Sequence, residues 1–328
     1  MIEIHPPVTV PHSVATLLWE LRQGSVVSAG SGPIGTGFEP LDSVLEGGLL
    51  PGEVVVLGGQ PGVGKTICAL QWARNVANHD RRVTFACFEH DESTLFNRLL
   101  VQELAHIGHD IDSTERIRAR SVIRDLTFGV ISLPEAVASC PVVEMALASL
   151  DSISPRLQLL RASAHRTTPS ELDTICRRDL DVGGVLFVDY LQKVPIPSAV
   201  SLDDRIYQAA ESLKELAVAH QITVVALSAT AASGINVDRL RLKHLRGSDA
   251  LAHECDVAIL MNRKATAVSE RHLKFDLSRL DEARKRTILS IEKNRRGEVD
   301  VHLEFVNDLA NFRFHPRGAF TVEALEED

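Results

Sequence analysis

A glycine-rich segment near the start of the chain has the residue types and spacing that bind phosphate. It reads Gly59-Gln60-Pro61-Gly62-Val63-Gly64-Lys65-Thr66, followed by Ile67. An apolar run over residues 54–57 precedes it and an apolar helical pattern follows, which is the strand–loop–helix context in which glycines let backbone N–H groups surround phosphates. The helix N-terminus adds positive charge, Lys65 reaches the β and γ oxygens, and the Thr66 hydroxyl ligates Mg²⁺. We therefore predict that residues 59–67 bind ATP with Mg²⁺.

Two carboxylates are predicted to lie beside this loop. Asp189 closes an apolar run that begins at Val185, and Glu89 directly follows the run over residues 83–88. Ligands of a parallel sheet bind at the carboxyl ends of its strands. We therefore expect Asp189 to hold Mg²⁺ with Thr66, and Glu89 to orient and deprotonate the attacking water. The alternatives are that Asp189 only closes a turn, and that Glu89 belongs to a solvated acidic loop, with Glu92 the next candidate for the base.

The rest of the chain alternates strand-length apolar runs with helical patterns. The runs cover residues 54–57, 83–88, 157–160, 185–189, 222–228 and 257–261. This alternation predicts an α/β fold with a mostly parallel twisted sheet flanked by helices, and the glycine-rich segment makes it a P-loop NTPase. Thr168-Pro169-Ser170-Glu171 predicts a capping box that starts a helix through Arg178. Closely spaced runs at 287–292, 301–305 and 312–314 predict antiparallel strands at the C-terminal edge.

Composition limits the classes of partner. The 328 residues carry a formal net charge of -9, so a polyanion cannot be bound over the whole surface and any contact with nucleic acid must be local. The longest apolar runs are strand-sized, and the N-terminus lacks a basic region followed by an apolar stretch. We expect a cytoplasmic protein without a membrane span. The five cysteines are scattered, and we interpret them as neutral thiols.

Three regions are predicted along the chain. Residues 1–36 form an arm with a helix over 13–22 and a Gly/Ser-rich stretch, residues 37–316 form the ATPase domain, and residues 317–328 form an acidic tail. The arm helix is too short to be stable alone, so it is either a frayed tail or an amphipathic helix that docks on a neighbouring subunit.

With these residues in place, the chain resembles the C-terminal motor domain of DnaB-type replicative helicases, within the RecA-like ATPases, from Thr36 to Phe314. The similarity rests on residues 35–42, 224–228 and 242–256 and on the segments Phe85-Ala86-Cys87-Phe88-Glu89, Val188-Asp189-Tyr190-Leu191-Gln192 and Lys293-Asn294-Arg295-Arg296-Gly297. It implies a hexameric ATPase that moves on single-stranded DNA. It also implies that Arg295, assisted by Lys293, reaches the γ-phosphate of the neighbouring subunit. From composition alone these two residues would be a solvated basic turn.

The resemblance places the DNA-facing loops of the central channel near residues 195–204 and 231–247. The second stretch holds a local basic cluster: Arg239, Arg241, Lys243, His244 and Arg246. As a channel loop this cluster would follow phosphates; as an exposed helical face it would have no such role.

The chain departs from the family in two ways. The helical N-terminal domain that organises the ring and contacts primase is not expected from this sequence. The glutamine that follows the Leu-Ser of the fourth core strand is replaced, since the sequence reads Ser228-Ala229-Thr230. This replacement leaves two other interpretations open. One is a RadA- or KaiC-type ATPase that assembles or remodels a protein partner, and the other is an ATP-gated scaffold with little hydrolysis.

Overall fold

The computed structural model describes residues 13–23, 32–107, 112–268 and 277–326. The described helices are α1 Val14–Arg22, α2 Leu41–Val44, α3 Lys65–Asn78, α4 Glu92–Glu103, α5 Ser113–Thr127, α6 Leu133–Ser139, α7 Val142–Asp151, α8 Pro169–Asp179, α9 Leu202–His220, α10 Ser248–Glu254, α11 Lys264–Ala267 and α12 Leu277–Arg284. The described strands are β1 Val54–Gly59, β2 Val83–Cys87, β3 Leu157–Arg161, β4 Val185–Asp189, β5 Thr223–Ser228, β6 Val257–Arg263, β7 Arg286–Asn294, β8 Val301–Asp308, β9 Arg313–Phe314 and β10 Ala319–Phe320. Among these helices none is long and apolar enough to cross a membrane.

The strands form a single sheet in the order β10-β8-β7-β6-β1-β5-β4-β2-β3, with β9 paired to β8. The pairs from β6 through β1 to β3 are parallel, whereas β7 runs antiparallel to β6 and β8 antiparallel to β7. The predicted fold class is therefore confirmed, including the antiparallel C-terminal edge. The carboxyl ends of β1, β2, β4 and β5 lie at one edge of the sheet, where the candidate site residues follow.

The sheet is covered on both faces. Every residue of β1, β4 and β5 is buried, as expected for central parallel strands with helices above and below. Successive residues alternate between two hydrophobic layers: Leu57 and Phe187 pack with α3, whereas Val56 and Val188 pack with α8 and α9. The strands that carry the site are thus held rigidly from both sides.

Some elements differ from the sequence prediction. Four helices, α4 to α7, stand between β2 and β3, and β10 pairs with β8 inside the predicted acidic tail. Thr168 Oγ1 accepts a hydrogen bond from Glu171 N at 3.3 Å, so Thr168 is the N-cap of α8, which extends to Asp179. Helix α1 is present, but residues 1–12 and 24–31 of the predicted arm and residues 327–328 of the tail lie outside the described residues. The domain limits at 36 and 316 stay a prediction.

Candidate nucleotide site

The glycine-rich segment bridges the end of a buried strand and the start of a helix. Strand β1 ends at Gly59, and α3 begins at Lys65 after the N-cap Gly64, whose φ is 101°. A Cβ at Gly64 would lie 2.9 Å from the Phe314 ring. Glycine is therefore required at position 64 both by the left-handed backbone and by the close approach of the C-terminal segment.

Lys65 is held against the loop that it closes. Its Nζ donates hydrogen bonds to the carbonyl oxygens of Gly59 at 2.6 Å and Gln60 at 3.3 Å. Burial lowers the pKa of Lys65, and the negative charges of Asp189 and Glu89 oppose that shift. The ammonium is thus kept near acidic groups at the carboxyl end of the sheet, where phosphates would bind.

Thr66 and Asp189 come together at the loop. Thr66 Oγ1 donates a hydrogen bond to Asp189 Oδ2 at 2.7 Å, although the two residues are 123 positions apart in the chain. Asp189 is 2% exposed, and burial raises the pKa of its carboxyl to about 6. A hydroxyl and a single carboxylate are hard oxygen donors of the kind that Mg²⁺ takes from a protein when phosphates supply the remaining ligands. The donor set therefore fits Mg²⁺.

Cys87 lies directly behind this pair. Its Sγ is 3.7 Å from Asp189 Oδ2 and accepts a hydrogen bond from His90 N at 3.3 Å. Burial raises the pKa of the Cys87 thiol to about 12, so it stays protonated and can donate to the carboxylate. This agrees with the sequence-based interpretation of the cysteines as neutral thiols.

The two candidates for the base differ in their surroundings. Glu89 is exposed and lines the cavity at the phosphate loop. Glu92 instead begins α4, and its Oε1 accepts a hydrogen bond from Arg161 N at 2.9 Å. The geometry therefore favours Glu89 as the carboxylate that can reach a water molecule beside bound phosphate.

The cavity has a volume of 420 Å³ and contains one basic group that the sequence analysis missed. Arg98, on α4, lines it together with Tyr190 and Leu309. The Arg98 guanidinium carbon lies 5.5 Å from the centre of the Phe312 ring, and partial burial lowers the pKa of Arg98. A half-buried guanidinium that lines the same cavity as the phosphate loop can bind phosphate oxygens in two-point fashion.

Arg295 and Lys293 lie near the amino ends of β1 and β6, at the opposite end of these strands from the phosphate loop. Arg295 N donates to the carbonyl oxygen of Asp256, which immediately precedes β6, and its guanidinium donates to Asp256 Oδ1 at 3.0 Å and to His253 O at 2.7 Å. Lys293 Nζ donates to the carbonyl oxygens of Ala252 and Cys255. Both side chains point to the same place, the C-terminus of α10, and neither lines the cavity of its own chain.

The basic cluster does not consist of four free cations. Arg239 is 5% exposed and has Glu292 and His302 as neighbours, while Arg241 forms ion pairs with Glu292 and Asp300. Lys243 and Arg246 are exposed. Arg239 and Arg241 thus both lie next to the buried carboxylate of Glu292, and the role of Arg239, Arg241, Lys243 and Arg246 in contacting nucleic acid is not tested by these contacts. That role stays a prediction for all four residues.

Ala229, the position at which the chain departs from the family, is hydrogen-bonded to the side chain of Gln192. Gln192 Oε1 accepts from Ala229 N at 3.0 Å, and its Nε2 donates to Ser228 Oγ at 2.8 Å and to Arg246 O at 2.9 Å. Thr230 Oγ1 donates to the carbonyl oxygen of Gly59 at 3.0 Å. Thus β5, the phosphate loop and the segment that carries the basic cluster are hydrogen-bonded to one another without a glutamine at 229.

Comparison with known proteins agrees with this architecture. Residues 33–314 match the family described as DnaB-like helicase C terminal domain. The chain is 28% identical over 281 residues to the replicative DNA helicase DnaB of Treponema pallidum (strain Nichols), covering 85% of this chain and 55% of that relative. A shorter match of 51% identity over 43 residues, 13% of this chain and 10% of the relative, is to the DNA repair protein RadA of Aquifex aeolicus (strain VF5).

Among solved structures, the ATPase domain of G40P shares the fold. It superposes with a TM-score of 0.69 at 20% identity, covering 93% of this chain and 99% of that one. The chain therefore covers 99% of that ATPase-domain chain but spans only 55% of the length of the Treponema pallidum relative.

Proposed function

Since the chain belongs to the family of DnaB-like helicase C-terminal domains, we propose that it is a Mg²⁺-dependent ATPase that acts as a ring-shaped motor on single-stranded DNA. The observation that carries the proposal is the hydrogen bond of 2.7 Å between Thr66 and Asp189 at the end of the phosphate loop, with Glu89 in the same cavity. These groups are the parts that phosphoryl transfer to water requires.

The proposed roles follow from the positions of the side chains. Residues 59–67 surround the phosphates with backbone N–H groups, and Lys65 moves its hydrogen bonds from the Gly59 and Gln60 carbonyls to phosphate oxygens. Thr66 and Asp189 would hold Mg²⁺, which neutralises charge on the β- and γ-phosphates when bound. Glu89 accepts a proton from the attacking water. Arg98, which lines the same cavity, stabilises charge on the phosphate oxygens.

The arrangement of Arg295 supports assembly of several copies. Arg295 neighbours the first residues of β1, and the phosphate loop begins at the last, so at the usual rise per strand residue about 17 Å separates them. That separation is too great for a side chain to cross. We propose that Arg295, with Lys293 beside it, completes the cavity of a second copy, and that the copies form a homo-hexamer. The exposed side chains of Val14, Leu18 and Trp19 on α1 are a further contact for such a neighbour.

A second candidate function is supported by a specific observation. The observation is Ala229, where the resemblance to the helicases implies a glutamine; its absence fits an ATPase that assembles or remodels a protein partner. In that case turnover would depend on the protein partner and not on DNA.

The test is the rate of ATP hydrolysis with and without single-stranded DNA. We expect Mg²⁺-dependent turnover that rises several-fold with oligo(dT) at low salt, whereas a duplex of the same length stimulates less. Turnover that oligo(dT) does not change, together with undetectable DNA binding at low salt, would transfer the proposal to the protein-remodelling candidate. Absence of turnover would leave only the nucleotide-gated scaffold.

A further inference from the structure

Side-chain hydrogen bonds connect the phosphate loop with Thr230 and with the segment that we call the basic loop, residues 231–247. The Gln60 side chain donates from Nε2 to the carbonyl oxygen of Val237 at 2.8 Å and lies 3.4 Å from that of Ile235. Thr230, immediately before the basic loop, donates to the carbonyl oxygen of Gly59. Gly59 and Gln60, adjacent in the phosphate loop, thus contact Thr230 just before the basic loop and residues 234–237 within it.

The chemistry of Gln60 makes this contact specific. All its side-chain partners are main-chain carbonyl oxygens, so the amide must present its NH₂ group and cannot be exchanged for an acceptor. Gln60 is 8% exposed, and the loss of a buried hydrogen bond of this kind leaves carbonyl groups without a partner. A carboxylate of nearly the same shape would face these oxygens with repulsion.

The same two residues of the phosphate loop also hold Lys65. The carbonyl oxygens of Gly59 and Gln60 are the acceptors for Lys65 Nζ. If Lys65 transfers its hydrogen bonds to phosphate, both carbonyl oxygens lose a charged donor. The Gly59 carbonyl oxygen then keeps the hydrogen bond from the Thr230 hydroxyl. Gly59 and Gln60 therefore contact both the lysine that would bind phosphate and the residues that position the basic loop.

The far end of the basic loop is fixed independently. Gln192 holds the Arg246 carbonyl oxygen and the Ala229 N–H group at the same time. The middle of the loop is attached to the sheet as well, because Leu240 forms two hydrogen bonds with the Asn262 side chain and Leu242 N donates to Glu292 Oε2 at 2.8 Å. A shift at Val237 therefore reaches the end of the loop only by moving these attached residues. Lys243 and Arg246, the exposed cations, lie near that end.

We infer that Gln60, assisted by Thr230, is the positioning residue that couples the occupancy of the phosphate loop to the basic loop, in place of the glutamine that is absent at position 229. The inference rests on the proposed function, since it assigns to the basic loop the contact with single-stranded DNA. Coupling between two binding sites is reciprocal, so a loop that binds DNA more tightly when ATP is bound must also make ATP bind more tightly when DNA is bound.

The experiment compares Gln60→Glu and Thr230→Val with the wild type. Steady-state kcat and KM for ATP are measured with and without oligo(dT), and the affinity for oligo(dT) is measured by fluorescence anisotropy with ATPγS and with ADP. The matched control is Gln221→Glu, because Gln221 Nε2 donates to the Val218 carbonyl oxygen at 2.9 Å near the start of β5, at the opposite edge of the sheet. Thermal melting of each variant verifies folding.

The readout is the ratio of the stimulated to the basal rate, which is insensitive to any change that lowers both rates equally. We expect the wild type and Gln221→Glu to keep their stimulation, Gln60→Glu to fall to within about twofold of no stimulation, and Thr230→Val to lose part of it. In parallel, the ratio of DNA affinities with ATPγS and ADP should fall toward one in Gln60→Glu. If Gln60→Glu does not fold, Thr230→Val decides, because it removes one hydroxyl and conserves shape.

The outcomes separate this inference from the proposed function. A wild type that DNA stimulates, together with Gln60→Glu and Thr230→Val variants that keep its ratio, overturns the inference alone. Equal loss in Gln221→Glu also overturns it, because the effect would then not depend on the contact with the basic loop. A wild type that DNA neither binds nor stimulates overturns the proposed function and the inference with it.

Discussion

At the scale of single residues, Glu89 and Glu92 are a matched pair of carboxylates that differ in what they contact. Glu89 lines the cavity, whereas Glu92 accepts a hydrogen bond from the Arg161 backbone. We expect Glu89→Gln to bind ATP with near wild-type affinity and to lose turnover by roughly 10²- to 10⁴-fold, because the amide cannot accept the proton of the water. Glu92→Gln should retain most of the rate.

Pre-steady-state and steady-state hydrolysis, with ATP binding measured by fluorescence, check this expectation. A Glu89→Gln protein that hydrolyses ATP at the wild-type rate would disqualify Glu89 as the base, and a slow Glu92→Gln protein would make Glu92 the replacement.

Asp189 gives a pH-dependent prediction whose sign is fixed by its burial. A raised pKa means that the folded protein favours the protonated carboxyl, so this group stabilises the fold below pH 3.8 and loses that contribution as the pH rises through about 6. At pH 7.5 without Mg²⁺, the ionised Asp189 should cost on the order of 2 to 3 kcal/mol. Asp189→Asn keeps an oxygen for Thr66 and removes the charge.

We therefore expect Asp189→Asn to unfold at a higher temperature than the wild type at pH 7.5, with the difference shrinking toward pH 4, and to lose Mg²⁺-dependent binding of ATP. Thermal denaturation across this pH range, with Asp238→Asn at an exposed position as control, measures the effect. Equal melting temperatures at every pH would show that burial does not penalise the carboxylate.

Residues of the site differ in how far sequence alone could identify them. The segment from Gly59 to Thr66 is contiguous, so its residue types predict its structure directly. Asp189 and Glu89 could be predicted because each closes a strand, and parallel strands end at one edge. Arg98 could not, because it is one polar residue among several on α4, and only the packing of that helix places it in the cavity.

At the scale of elements, the basic loop offers two exposed cations and two paired ones. Lys243→Glu combined with Arg246→Glu should weaken binding of oligo(dT), and the slope of log affinity against log salt should fall by about 1.4, since each single-strand phosphate contact contributes about 0.7. The double variant Arg118→Glu with Arg166→Glu reverses two exposed charges elsewhere and should leave both quantities unchanged.

Fluorescence anisotropy titrations between about 50 and 200 mM salt give the slope. If the loop variant retains the wild-type slope, or the control variant loses as much, the basic loop is not the DNA contact. Variants of Arg239 and Arg241 are unsuitable here, because their ion pairs with Glu292 make a loss of stability the first effect.

The central strands that the sequence predicted share one property, which is burial on both faces. Strands β1, β4 and β5 are continuous apolar runs for this reason, and their lengths were predicted to within two residues. Strand β10 was not predicted, because Ala319 and Phe320 are exposed and the strand exists only through its pairing with β8. Helix α5 was missed for a similar reason, since only Ala119 and Ile123 of its residues are buried.

At the scale of the whole molecule, the sheet separates Arg295 from the phosphate loop of its own chain. Arg295→Ala should therefore still bind ATP while turnover falls by roughly 10³ to 10⁵, as for other arginines that act on a neighbour's phosphate. Mixed with Lys65→Ala, which keeps Arg295 but cannot bind ATP tightly, it should regain activity at interfaces that combine the intact halves.

ATPase assays on mixtures at several ratios, with mass photometry to verify mixed assemblies, make the comparison. A full-rate Arg295→Ala protein would reduce residues 293–297 to a solvated turn. Mixed assemblies as inactive as either parent would mean either that Arg295 does not act between chains or that every site must fire in turn, and a ring with a single variant subunit distinguishes these cases.

The separation of Arg295 from Gly59 along the strands of the sheet has a kinetic consequence. If each catalytic centre is shared by two chains, the specific activity depends on the protein concentration at which it is measured. Below the dissociation constant of the assembly, the rate per chain should decline on dilution while the affinity for ATP stays constant, because every chain carries its own complete phosphate loop. The local concentration of the chain would then regulate its ATPase activity.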